Sequence, residues 1–255
     1  NDLVSAAISA AGRRVPVVAA TGSQNHAETL FLTEHAARAG ADALLVVTPY
    51  YVKPPKRGIV AYYEDLGRRS DVPLLMYHIP GRTAAAIDLG VLEAIVESTP
   101  TFVGMKYAAH DMGPVTEALK RFGPDFRIFV GLEWFRSVSR GLEDLSFPMM
   151  AIGAGGMINA VSNIAPAAIA RLYEEVARGD LTAARHSHFA LAALNDAVFF
   201  DTNPIAIKYM AKRLGILGAN HHRMPMMPAT AEVERRCDAV IAECDFLKPA
   251  ATLAA

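Results

Sequence analysis

Six short apolar runs, alternating with stretches of helical periodicity, constrain this chain more than any other feature. They are VPVVAAT (15–21), ADALLVVTP (41–49), VPLLMYHIP (72–80), TFVGMKYA (101–108), FRIFVGL (126–132) and FPMMAIG (147–153). Each is apolar without a break rather than alternating, as parallel strands covered on both faces are. The helices between them have recognisable ends. Asn25 and Glu28 stand as N-cap and N3 ahead of FLTEHAARAG, which Gly40 closes, and Asp88 precedes LGVLEAIVES. Val115, Ala118, Leu119 and Phe122 recur at helical spacing before Gly123. This alternation predicts a parallel α/β fold.

After residue 160 the strands stop. Four helices are predicted at 166–178, 181–200, 204–214 and 230–246, a helical C-terminal extension. A closed barrel needs eight strands, only six are visible, and the chain opens on a helix, LVSAAISAAG, that Gly12 ends. Either the sheet is open with six strands, or this is a (β/α)8 TIM barrel with about two N-terminal βα units missing. In the second case 1–160 is the incomplete barrel, and 161–255 is its last helix plus the extension. Such a chain by itself leaves parallel edges bare and is expected to be unstable. The tripeptide GLE occurs at 131–133 and again at 141–143. It marks a ten-residue insertion near Trp134 or a chance recurrence.

Size and charge narrow the function classes. The 255 residues are 52% hydrophobic and 20% charged with a net charge of -1, which fits one large domain. That balance gives no electrostatic reason to expect nucleic acid or an anionic membrane as partner. No run reaches the ~18 apolar residues of a membrane span, and no signal peptide opens the chain, so a cytoplasmic protein is expected. Cys237 and Cys244 read as two reduced thiols on one helix face.

The chemistry is expected at the carboxyl ends of the strands. There the runs deliver Tyr50 and Tyr51, then Tyr77 with Arg82 after it, then Lys106 inside FVGMKYAAHDMG. A lysine in an apolar pocket loses hydration of its charged form, so its free amine becomes available for attack on a ketone. A phenol relays protons, and an arginine grips a carboxylate with two hydrogen bonds. From the residues alone a surface lysine on an edge strand, beside core tyrosines, fits as well. Asn203 and Pro204 read as N-cap and N1 of a helix. His221 and His222 are adjacent and diverge, so no metal is expected there. Gly153, Gly155 and Gly156 have the composition of a phosphate-cradling loop, but no phosphate is expected there.

TPYY (48–51), YHIPGRT (77–83), GMK (104–106), GAGGMINAVSNIAP (153–166), NPIAIK (203–208) and RMPMMP (223–228) run in order over nearly the whole chain. Together they resemble the dihydrodipicolinate synthase/N-acetylneuraminate lyase family, barrel class I aldolases and lyases acting on 2-oxo acids. The resemblance implies that Lys106 is the Schiff-base lysine and Tyr77 the proton-relay tyrosine. It implies that Tyr51 enters the neighbouring subunit's site, that Arg82 holds a second substrate's carboxylate, and that Ile158 turns its backbone carbonyl to the lysine. It also implies no cofactor, a small 2-oxo acid substrate of the pyruvate type, and a homodimer or homotetramer.

The chain departs from that pattern in three places. The family's first strand and its glycine–threonine–threonine–glycine–glutamate loop have no counterpart. His78 stands where asparagine is common, and Asn159 where serine is common. The last two point to a subgroup away from the lysine-biosynthetic enzyme, while the resemblance as a whole implies a lyase similar to 4-hydroxy-tetrahydrodipicolinate synthase. The alternatives are a 2,4-dihydroxyhept-2-enedioate-type aldolase, a catalytically impaired remnant, and a phosphate-binding barrel isomerase.

Overall fold

The computed structural model describes residues 2–131 and 144–247, so the GLE repeat and the insertion around Trp134 lie almost wholly outside the described residues. The chain divides into two units, one of residues 1–133 with 152–155, the other of 134–151 with 156–255. The first holds β1 (Val18–Ala20), β2 (Ala43–Val47), β3 (Leu74–His78), β4 (Phe102–Tyr107) and β5 (Arg127–Val130). Each pairs in parallel with the next in chain order. Its helices are α1 (Asp2–Ala11), α2 (His26–Ala39), α3 (Lys56–Arg68), α4 (Pro80–Thr83), α5 (Leu89–Ser98) and α6 (Met112–Phe122).

The caps explain where these helices begin. Asn25 Oδ1 accepts the backbone N–H of Ala27 and Glu28, and Gly40 closes α2 at φ 95°. Glu28 does not complete a reciprocal capping box. Its carboxylate takes the Ser23 hydroxyl at 2.5 Å instead. Asp88 Oδ1 accepts the Val91 N–H and starts α5. Helix α3 has no side-chain cap, yet Ile59, Tyr63 and Leu66 line one buried face of it. The Tyr63 hydroxyl donates to the Val46 carbonyl, tying that helix to β2.

One irregularity sets the faces of the sheet. Leu74 pairs with Phe102 but Leu75 pairs with Gly104, so β4 bulges by one residue at Val103. A one-residue shift exchanges the faces of every following side chain. Beyond the bulge, Val46, Met76, Met105 and Ile128 form one cross-strand row, fully buried. The next row, on the opposite face, is Val47, Tyr77, Lys106 and Phe129, all half-buried. Without the bulge Met105, not Lys106, would stand beside Tyr77.

The second unit holds α7 (Ser146–Ala151), β6 (Gly156–Met157), α8 (Pro166–Ala177), α9 (Leu181–Ala197), α10 (Ile205–Arg213) and α11 (Ala231–Glu243). The four helices expected after residue 160 are present. Two expectations are corrected. The run FPMMAIG is helical through Ala151, with Ser146, Met149 and Met150 buried at helical spacing, and the sixth strand is the two-residue β6. Pro148 sits in the first turn of α7, where no intrahelical N–H is needed. Asn203 is not an N-cap either: its bond to Pro204 is cis, and α10 begins at Ile205 without a side-chain cap. Both cysteines are buried free thiols, and burial pushes the Cys237 thiol up to about 11.

Candidate active site

Tyr77 and Lys106 are direct register partners on adjacent strands. The Lys106 ammonium lies 4.1 Å from the centroid of the Tyr77 ring, within cation–π distance. Gly131, just past β5, makes that position possible. A Cβ there would stand 2.6 Å from Lys106 Cε and 3.0 Å from the Ala108 methyl. Of the two glycines that open the GLE repeats, Gly131 is thus the one seen against the lysine, while Gly141 lies outside the described residues.

On the same face a cavity of about 320 Å³ is lined by Val47, Tyr50, Tyr77, Ile79, Arg82 and Thr83, among others. Lys106 is not in its wall, but Tyr77 is, and the amine lies across that ring. Arg82 arrives on the one-turn α4, which Pro80 opens and whose Thr83 hydroxyl donates to the Ile79 carbonyl at 3.0 Å. The arginine itself is exposed. A cation, a phenol and an apolar wall therefore meet beside a primary amine.

The other expected residues are placed differently. Tyr51 is 84% exposed, sits at φ 70° and lies outside the cavity, whereas Tyr50 lines it. Ile158 belongs to the second unit, half-buried just after β6. Among the described residues no three His, Cys, Asp or Glu side chains converge as metal ligands would. No described helix is long and apolar enough to cross a membrane. Thr83 and Val47 were not legible as site residues, since neither carries a chemical signature in sequence.

His78 and Tyr107 occupy the sheet's other face, one residue beyond Tyr77 and Lys106. They too are register partners, and their rings stack with centroids 5.4 Å apart. His78 is buried, and that burial pulls its pKa from 6.5 to about 4. The unfolded chain therefore takes up this proton first as pH falls. The stabilisation is complete above pH 6.5 and is lost progressively between 6.5 and about 4. The loss is expected to reach up to about 3 kcal/mol. Urea denaturation at pH 7 and at successively lower pH measures it, and His78→Gln should flatten the slope. An unchanged slope in that variant would assign the acid sensitivity to other groups.

With this geometry in place, comparison with known proteins is decisive. The model of the Dihydrodipicolinate synthetase family matches residues 1–244. The chain belongs to that family. Among curated dihydrodipicolinate synthetase relatives, the 4-hydroxy-tetrahydrodipicolinate synthase of Thermus thermophilus is 39% identical over 224 residues, 88% of this chain and 71% of the relative. That of Syntrophobacter fumaroxidans is 34% identical over 226 residues, 89% of this chain and 74% of the relative. The crystal structure of dihydrodipicolinate synthase from Aquifex aeolicus superposes with a TM-score of 0.88 at 30% identity, covering 95% of this chain and 79% of its own. A chloride-inhibited dihydrodipicolinate synthase from Acinetobacter baumannii, complexed with pyruvate, gives 0.87 at 25% identity, covering 96% and 80%. Membership of the family places the chain among enzymes of the aldolase and lyase kind.

Proposed function

We propose that this chain is a Schiff-base-forming lyase acting on 2-oxo acids of the pyruvate type, with the condensation of 4-hydroxy-tetrahydrodipicolinate synthases as its reaction. The observation that carries the reading is the Lys106 amine set across the Tyr77 ring, beside a cavity that Arg82 enters. The names of the relatives support the same reading.

In this scheme the Lys106 amine attacks the ketone carbon of the oxo acid. The carbinolamine loses its oxygen as water and leaves an imine, with Tyr77 supplying and removing the protons. The iminium then draws electrons from the neighbouring C–H bond, and loss of that proton gives an enamine. The enamine carbon forms the new C–C bond with the electrophilic second substrate, and water finally releases the lysine. Arg82 holds the second substrate's carboxylate. Tyr51, exposed on its turn, extends the relay into a neighbouring copy.

Arg82→Ala separates the two substrates. Trapping of pyruvate by borohydride should persist, while turnover with the carboxylate-bearing second substrate falls by about 1.5–3 kcal/mol, roughly one to two powers of ten. Steady-state kinetics alongside mass-spectrometric trapping checks this. Equal losses in both would make Arg82 structural.

A further inference from the structure

A second cavity, of about 190 Å³, lies on the face of the sheet away from Lys106. Its inner wall carries Met105, His78 and Tyr107, its sides include Leu92 and Pro114, and Asp88 and Glu117 line it as well. His78 is only 5% exposed, yet its Nδ1 finds no hydrogen-bond partner among the described residues. A buried polar atom left in that state costs free energy that a ligand group can recover. The two carboxylates differ. Asp88 is already occupied, with Oδ1 on the Val91 N–H and Oδ2 on the Lys56 ammonium. Glu117 is exposed and has no ion pair among the described residues, so its charge is available to an incoming cation.

The space has room for roughly six small heavy atoms, taking about 30 Å³ for each water-sized one. From these walls we infer that the cavity is a binding site for a small organic ammonium compound whose other end carries a hydroxyl. The ammonium pairs with Glu117, the alkyl body lies on Leu92 and Pro114, and the hydroxyl meets His78 Nδ1. A hydroxyl both donates and accepts, so it satisfies either tautomer of the imidazole. The Tyr107 ring adds an electron-rich face. Because β3 and β4 separate this cavity from Tyr77 and Lys106, the inference does not rest on the Schiff-base reading.

Isothermal titration of the full chain with 4-amino-1-butanol tests it, with 4-hydroxybutyrate as the charge-reversed comparator. One saturable site per chain is expected for the amine and none for the acid. Glu117→Gln, a change on an exposed helix face, should weaken binding at least tenfold. Lys106→Ala should leave it within twofold, and the His78 ring-nitrogen resonances should shift on titration in the wild-type chain. The inference is overturned by no saturable binding, by equal binding of the acid, by indifference to Glu117→Gln, by unmoved His78 resonances, or by loss in Lys106→Ala. The last result would put the amine on the opposite face.

Discussion

Lys106→Ala is expected to remove all borohydride-stable labelling by pyruvate and, with it, measurable lyase turnover. The imine needs a primary amine, and the electron sink it creates has no substitute in alanine. Stability should change by much less, because Lys106 is half-buried and its row is the more open face of the sheet. Peptide mapping after reduction in the presence of pyruvate checks the assignment. A label still found in the alanine variant would place the imine elsewhere. Tyr77→Phe keeps the ring beside the amine and removes only the hydroxyl. It should retain some labelling while turnover falls roughly 10²–10⁴-fold.

How far the sequence leads to this site depends on which property is asked for. The runs that became β1 to β5 were legible because parallel strands covered on both faces demand continuous apolar residues. FPMMAIG satisfied the same criterion and is a helix, since a short apolar run carries no periodicity that separates the two. Only the burial of Ser146, Met149 and Met150 on one side reveals its helical phase. Lys106, Tyr77 and Arg82 were legible as residue types at strand ends. Their faces were not, because the bulge at Val103 changes the parity of β4 and leaves no mark in composition. In the same way Tyr77 and His78 are equally plausible inward residues until the register is known, and that register gives each a cavity of its own.

The substitution with the largest expected effect on stability is Gly104→Ala, two residues before the lysine. Gly104 pairs with Leu75 on one side and with Arg127 on the other. A Cβ at this position would stand 2.0 Å from the Arg127 carbonyl oxygen, 2.7 Å from its carbonyl carbon and 2.9 Å from its nitrogen. These are backbone atoms, so no rotamer change relieves the overlap, and β4 and β5 must separate. Overpacking of this kind costs about 3 kcal/mol at its upper end. At about 2–4 °C per kcal/mol for a chain of this size, the melting temperature should fall by about 6–12 °C. Gly90→Ala is the matched control, since a Cβ on that α5 residue meets only Asp88 Oδ1, at an ordinary 3.6 Å. It should be neutral or slightly stabilising. Separation of β4 from β5 also loosens the pairing of Lys106 with Phe129. Imine trapping in the Gly104 variant should therefore fall even at temperatures where the chain remains folded. Calorimetry of both variants decides the matter: equal melting temperatures would show that β4 and β5 accommodate the methyl group and that the glycine is not what sets their spacing.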